Sequence, residues 1–289
     1  MNKINGIIIV DKPEGITSHG VVSRLRRVFK IRRIGHSGTL DPMATGVLPI
    51  FIGRATRACE FTLTDGKAYT ARFRTGIETD TQDITGTVTA SHDDGHITES
   101  DVLRACNSFA GKIMQTPPMY SAVKVGGVPL YKLAREGKEA ERRAREITIN
   151  SISLRALENG EYEIDVDCSK GTYIRTLIFD IGRALGCGAT MTYLRRTRSG
   201  IFRIENAVKL DDITEDTPLL PVDTVFSEYE KLTISKSGEK KCRNGADVPF
   251  DGVRDGAFYR VYSENGEFLM LARGDSARGL VTEKSFFEV

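Results

Sequence analysis

The stretch from Ile34 to Pro49, Ile-Gly-His-Ser-Gly-Thr-Leu-Asp-Pro-Met-Ala-Thr-Gly-Val-Leu-Pro, brings an imidazole and a carboxylate into one short loop. Three glycines and Pro42 tighten the chain around His36 and Asp41. Reacting groups are commonly held on rigid loops between regular elements. Pro42 also restricts the backbone of Asp41 to an extended conformation. An ionised carboxylate in that setting can act as nucleophile or general base. The same spacing also fits an Asp-Pro turn with no reactive role.

Other chemistries find weaker footing. There is no G-x-x-x-x-G-K-[ST] and no G-x-G-x-x-G after a strand, which disfavours nucleotide hydrolysis and dinucleotide binding. Glu78–Gly86 looks superficially like a calcium loop. Its acids fall at the first, third and sixth places and its glycine at the ninth, so the ligand spacing fails. His92 and His96 flank Gly95 in a polar segment that reads as a turn, not as a helix aligning two metal ligands. A Gly-x-Ser-x-Gly elbow is absent. No metal and no cofactor are expected.

The elements that must position the loop follow from periodicity. Gly6–Val10 reads as a buried strand, with a turn at Asp11–Gly15. Ser18 is placed to cap a helix with Val21, Val22, Leu25, Val28 and Phe29 on its apolar face. Val47–Ile52 is a short apolar strand, and Ala68–Thr75 alternates Tyr69, Ala71 and Phe73 against Arg72 and Arg74. Thr98–Asp101 makes a capping box before a stripe of Val102, Leu103, Cys106 and Phe109, with Gly111 as the stop. Ile147–Ala156 and Glu161–Cys168 flank Asn159-Gly160, a hairpin signal. A helix with Ile174, Leu177, Ile178, Ile181 and Leu185 inward ends at Gly186. Hairpins mixed with helices predict an α+β fold on a mixed, largely antiparallel sheet. Residues 119–145, rich in glycine and charge, read as a mobile flap. Beyond a boundary near Phe226–Tyr229, a small all-β unit is expected, with a hairpin at Asn265-Gly266.

The chain has 289 residues, enough to bury a sizeable core, and its composition is that of an ordinary globular protein. No apolar run approaches the ~18 residues of a membrane span. The opening Ile7–Val10 ends in charged Asp11-Lys12, unlike a signal peptide. The 5 cysteines, Cys59, Cys106, Cys168, Cys187 and Cys242, show no pairing pattern and read as reduced thiols. A cytoplasmic location is expected. Net charge is only +2, but it is segregated. Gly15–Leu40 is free of acids and carries Arg24, Arg26, Arg27, Lys30, Arg32 and Arg33, and a second basic stretch holds Arg195, Arg196, Arg198 and Arg203. Lys132–Arg145 is a third basic segment, whereas Glu205–Glu230 sets eight carboxylates against Lys209 alone. Such segregation predicts a positive face suited to a polyanion.

The loop around Asp41 closely resembles the G-H-x-G-x-L-D-P-x-A-T-G-x-L motif of the TruB family of tRNA pseudouridine synthases. Further blocks resemble the same family in the same order: Asp11–Ser18, Lys67–Tyr69, Thr79–Asp83, Gln115–Lys124, Cys168–Arg175 and Tyr193–Thr197. Together they span most of residues 6–205.

The resemblance implies a catalytic domain over residues 1–228 and a PUA-like RNA-binding domain over 229–289, with the flap as a thumb-like insertion. The implied activity converts the uridine at position 55 in the T-loop of tRNA to pseudouridine, by base flipping and without a cofactor. It assigns catalysis to Asp41, Tyr69 and Arg175, the arginine favouring the ionised form of the aspartate. Tyr173 and Leu194 become walls of the base pocket, and Asp83 an acid near it, although a loop-capping role fits Asp83 as well. Lys12 shapes the pocket floor, and His36 fills the space vacated by the flipped base. The basic helix, the Arg195–Arg203 stretch and the flap would hold the RNA backbone. The implied partner is tRNA, through its T-arm and acceptor end, with no membrane, no required protein partner and a monomeric enzyme. Three rivals remain open: a guide-RNA-dependent synthase subunit, a non-catalytic RNA-folding protein and an Asp-dependent nucleoside glycosidase.

Overall fold

The opening apolar run forms β1 (Gly6–Lys12), and the amphipathic segment after it forms α1 (Ser18–Val28). A computed structural model describes residues 4–62, 66–158 and 160–287. The loop of interest runs between β2 (Ile34–His36) and β3 (Thr45–Ile52). A 3-10 helix at Gly53–Thr62 leads toward β4 (Lys67–Thr75). There follow β5 (Ile77–Thr79), β6 (Val88–Ser91), α2 (Glu99–Ser108) and β7 (Gly111–Gln115). The flap contains a tight hairpin of β8 (Lys124–Val125) and β9 (Val128–Pro129), then α3 (Leu130–Arg135). Beyond it come β10 (Arg145–Ala156), β11 (Tyr162–Cys168), α4 (Ile174–Leu185) and β12 (Ala189–Ser199). Two short strands, β13 (Phe202–Arg203) and β14 (Val208–Lys209), complete this part of the chain. The remaining elements are β15 (Glu230–Thr233), α5 (Lys236–Arg243), β16 (Phe258–Tyr262), β17 (Phe268–Asp275) and β18 (Gly279–Ser285).

The main sheet has ten strands, ordered β14-β1-β3-β12-β4-β11-β10-β7, with β13 on β12 and β2 on β3. The β1–β14 and β3–β12 pairs are parallel and the others antiparallel, so the fold is α+β on a mixed sheet. The parallel β3–β12 pair brings the end of the Asp41 loop against the middle of the last long strand.

Two cores lie on one face of the sheet, and a third, with Ile7, Val47 and Phe51, lies on the other. Helices α2 and α4 pack Val102, Leu177, Ile178 and Ile181 against Phe73, Ile164 and Met191. Helix α1 packs Val21, Val22 and Leu25 against Ile8, Val10 and Ile50. Each such buried side chain contributes about 1.5–3 kcal/mol by leaving water. A separate small C-terminal β domain, the four-stranded sheet β15-β16-β17-β18, has its own core around Tyr259, Val261, Leu269 and Leu280. It is joined to the main unit by an aromatic cluster in which Phe226 meets Phe61, Phe268 and Phe286 at 5.2, 6.1 and 5.7 Å.

Several local readings change. The α1 cap is Thr17, whose hydroxyl accepts from the Gly20 N–H, and Ser18 is instead the first helical residue. Leu103 lies 43% exposed, so the inward stripe of α2 is Val102 and Cys106 with Phe109 beside it. The helix stops at Ser108, and Gly111 opens β7 at φ 93°. The C-terminal unit carries one short helix, α5, capped by Ser235, where the pattern shows only strands. Its segment holds a single apolar side chain, Cys242, too little for a visible helical period. The β10–β11 hairpin forms, although Asn159 of its turn lies outside the described residues. At the other predicted hairpin, Gly266 adopts φ 82° between β16 and β17.

Candidate active site

A cleft of about 570 Å³ opens where the Asp41 loop, β4, β12, the N-terminus of α4 and the flap converge. Its wall includes Asp41, Tyr69, Tyr173, Arg175 and Leu194. Five of the eight residues expected at the site therefore meet, although up to 153 positions separate them in sequence (194 − 41). His36, Lys12 and Asp83 lie off that wall.

The Asp41 loop is clamped from both sides. Ser18 Oγ donates to the Leu40 carbonyl at 3.0 Å and accepts from the Leu40 N–H at 2.8 Å. On the other flank, Lys12 Nζ donates to the carbonyls of Pro13, Ile16 and Pro42 at 2.9, 2.7 and 3.1 Å. The Gly15 N–H also donates to the Pro42 carbonyl, at 2.9 Å. Lys12 is fully buried and works as a fastener beneath the loop.

Burial pulls the Lys12 ammonium down from 10.5 to about 8, against the opposing pull of Asp41 and Glu14. Between those two values the unfolded chain binds the additional proton, so stability rises with pH through that window. Wild-type urea midpoints should therefore gain on those of Lys12→Met as pH is raised from about 8 to about 10.5. Parallel curves for the two proteins would contradict this.

Arg175, the second residue of α4, reaches Asp41 Oδ2 at 2.9 Å through Nη2. The same guanidinium donates to the Thr81 carbonyl at 2.8 Å and the Tyr120 carbonyl at 2.9 Å, and its Nη1 lies 3.7 Å from Asp83 Oδ2. One arginine thus ties together the reactive loop, the loop after β5 and the flap. Asp83 serves two ends. Its Oδ1 accepts from Thr81 Oγ1, the Thr85 N–H and Thr85 Oγ1, capping its own loop, while Oδ2 faces Arg175.

Tyr173 caps α4 and is held by Gln115. The Tyr173 N–H donates to Gln115 Oε1 at 2.8 Å, and Gln115 Nε2 donates to the Tyr173 carbonyl at 3.1 Å. Burial raises the pKa of the Tyr173 phenol and that of the Tyr69 phenol, the latter partly opposed by Arg196. His36 closes β2 opposite Ile50, and its Nδ1 is buried with no hydrogen-bond partner among the described residues. Burial, followed by the charge of Arg196, lowers its pKa below 6.5, so the imidazole is neutral at pH 7.

In the basic Arg195–Arg203 stretch, Arg195, Arg196 and Arg198 are paired or buried. Arg195 pairs with Asp11 at 2.8 Å and Arg198 with Asp167 at 2.6 Å, whereas Arg196 points inward and is 1% exposed. Strand alternation turns Arg196 to the buried face, and carboxylates from β1 and β11 meet its two neighbours. Arg24 of α1 and Lys30 just beyond it pair with Asp211 and Glu215 of the acidic segment. Positive charge on the cleft wall comes from Lys67, Arg145 and Lys170, and from Arg196 of that stretch.

Ser18, Gln115 and Arg196 are the residues that sequence reasoning misses. For Arg196 a signal existed, because placing Leu194 on the wall puts the residue two further along the strand there as well. Gly46 makes this packing possible. It pairs with Arg196 at φ 97°, and a Cβ there would fall 2.2 Å from the Arg196 carbonyl oxygen. Gly46→Ala should cost about 3 kcal/mol or more, from backbone strain and overpacking together, measured as a shift in urea-unfolding free energy.

With this geometry in place, comparison with known proteins is direct. Residues 26–174 match the TruB family pseudouridylate synthase (N terminal domain), and residues 175–226 match the tRNA pseudouridylate synthase B C-terminal domain. Both matched segments fall before the second sheet begins. The chain is 43% identical over 295 residues to tRNA pseudouridine synthase B of Clostridium perfringens (strain 13 / Type A), covering 99% of this chain and 100% of that protein. It is 48% identical over 285 residues to tRNA pseudouridine synthase B of Syntrophotalea carbinolica, covering 96% and 92%. Among solved structures, a Cbf5-Nop10-Gar1 complex matches with a TM-score of 0.71 at 29% identity, covering 98% of this chain and 85% of that one. An H/ACA RNP bound to a substrate RNA containing 2'-deoxyuridine matches with a TM-score of 0.71 at 27% identity, over 98% and 85%. The chain belongs to the TruB family of pseudouridylate synthases.

Proposed function

We propose that this chain isomerises the uridine at position 55 in the T-loop of tRNA to pseudouridine, with Asp41 as the group that engages the nucleotide. The observation that carries the reading is the Asp41–Arg175 pair at 2.9 Å on the wall of a cleft shared with buried Tyr69. It stands in a chain with relatives named as tRNA pseudouridine synthases along nearly its whole length.

The reaction breaks the N1–C1′ bond of a uridine, turns the base and rejoins it through C5, with no atom gained or lost. It requires a carboxylate held ionised and aimed, a pocket that retains the free base, and a route for the C5 proton. Asp41 and Arg175 supply the first. Tyr173, Leu194 and Tyr69 form the pocket, with Tyr69 against the uracil and near the C5 proton. Flipping the uridine out of the folded RNA costs a few kcal/mol. Stacking on an aromatic side chain is worth about 1–3 kcal/mol, and the neutral His36 imidazole takes that part in the vacated space. Lys67, Arg145 and Lys170 meet the phosphate backbone. Asp83 acts on the site through Arg175, and Lys12 through the loop it fastens.

The catalytic domain comprises residues 1–228, and residues 229–289 form a PUA-like domain for the acceptor end of the tRNA. The enzyme works in the cytoplasm as a monomer without a protein partner. The test is an unmodified tRNA transcript tritiated at uridine C5, incubated with the protein alone. Stoichiometric tritium release, with the product mapped to the T-loop and lost when that uridine is replaced by cytidine, is the expected result. Release that ignores the T-loop would overturn the assignment of position. No release, with tRNA bound, would favour an RNA-folding or guide-dependent protein. Turnover of free uridine would point to a nucleoside glycosidase.

A further inference from the structure

Arg196 is one of the largest fully buried side chains in the molecule. Its Nε donates to the Val47 carbonyl at 2.7 Å and its Nη2 to the Gly38 carbonyl at 2.8 Å, and among the described residues no carboxylate pairs with it. Its neighbours Arg195 and Arg198 each have one. Burying a cation without a counter-ion is costly, and a strap between two carbonyls does not need a charge. A neutral amide could bridge them without that cost.

The charge faces Tyr69. Arg196 and Tyr69 are direct partners across the antiparallel β12–β4 pair, on the same face, and both lie on the cleft wall with Asp41 and Leu194. The charge of Arg196 opposes the rise that burial imposes on the pKa of the Tyr69 phenol, so the guanidinium acts on that phenol. Two glycines keep it there. A Cβ on Gly46 would strike the Arg196 backbone, and one on Gly38 would come 3.2 Å from Nη1.

We infer that Arg196 is a positioning residue for Tyr69, holding its phenol oxygen toward the base and stabilising the negative charge that grows on it as the C5 proton is relayed. This rests on the reading of Tyr69 given above. Once C5 is bonded to C1′, the C5 proton passes to the Tyr69 oxygen while the phenol proton passes to water. The C5–H electron pair becomes the C5–C6 double bond, the N1–C6 π pair returns to N1, and N1 takes a proton from water. The sum is the isomerisation itself, with water as proton carrier. Arg175 serves the carboxylate and Arg196 the tyrosine, which gives each buried arginine of the site a distinct client.

The experiment compares single-turnover rates on tRNA carrying hydrogen or deuterium at uridine C5, for wild type, Tyr69→Phe, Arg196→Gln and the double variant. Arg196→Met, also neutral, serves if Arg196→Gln does not fold. Urea midpoints and tRNA affinity report folding. The Arg196 variant should lose about 10²-fold in rate with tRNA affinity kept, as expected when a proton-transfer group is disabled. Its C5 isotope effect should exceed that of the wild type, because proton removal now limits the rate. In the Tyr69→Phe background the Arg196 substitution should add less than about twofold, since coupled groups are not additive. Losses that multiply, or an unchanged isotope effect, would reduce Arg196 to a packing role. If Tyr69→Phe alone left both rate and isotope effect unaltered, the reading of Tyr69 would fall, and this inference with it.

Discussion

Asp41→Asn should abolish tritium release from C5-labelled tRNA while leaving tRNA affinity within about threefold of wild type, because the change is isosteric and removes only the ionised oxygen. Removing the principal reacting group of an active site costs at least about 10⁴-fold in rate, equivalent to about 5 kcal/mol of transition-state stabilisation. The fold should tolerate the change. Arg175 keeps the Thr81 and Tyr120 carbonyls and the Asp83 carboxylate, so the variant does not strand a buried cation. The loop keeps its Ser18 and Lys12 clamps, which bind backbone atoms and do not depend on the Asp41 side chain. A loss of stability beyond about 1–2 kcal/mol would show that the ion pair also holds the loop. Equal tritium release by variant and wild type would move the chemistry away from Asp41.

The parts of the site that were legible in the sequence are those whose signal is local. The Asp41 loop announces itself through Gly38, Pro42 and Gly46 within nine positions, and β4 shows Tyr69 inward by simple alternation. The α4 helix is marked by its apolar stripe and by Gly186, which ends it at φ 77°. What stayed hidden depends on pairings between distant segments. Ser18 fits a cap from its neighbours alone, and only the fold brings it to Leu40, 22 positions on. The Gln115 clamp on Tyr173 spans 58 positions, and the Arg196 bond to Val47 spans 149. The ion pairs of the basic stretches were hidden for the same reason. Their counter-ions, Asp11, Asp167, Asp211 and Glu215, come from elsewhere in the chain, and charge along a segment does not show which carboxylates fold against it.

Arg175 separates geometry from charge, and its two replacements should fail differently. Arg175→Lys keeps a cation but presents one nitrogen in place of a planar fork. That nitrogen cannot serve Asp41, the Thr81 carbonyl and the Tyr120 carbonyl at once, although all three lie within 2.9 Å of the guanidinium. Misaiming a reacting group by about 1 Å costs about 10²-fold, so the lysine variant should lose at least that in single-turnover rate. Its affinity for tRNA and its stability should change little.

Arg175→Met leaves Asp83, 4% exposed, and Asp41 facing each other's charge without a cation between them. Stranding a buried carboxylate costs about 3–5 kcal/mol, so this variant should unfold at markedly lower urea. Adding Asp83→Asn removes the stranded charge while its amide oxygen still accepts from Thr81 and Thr85. The double variant should therefore regain most of the stability and none of the activity. Recovery of both would mean that Arg175 serves the reaction only by keeping Asp83 neutralised. Recovery of neither would place the defect in the flap, through the lost bond to Tyr120.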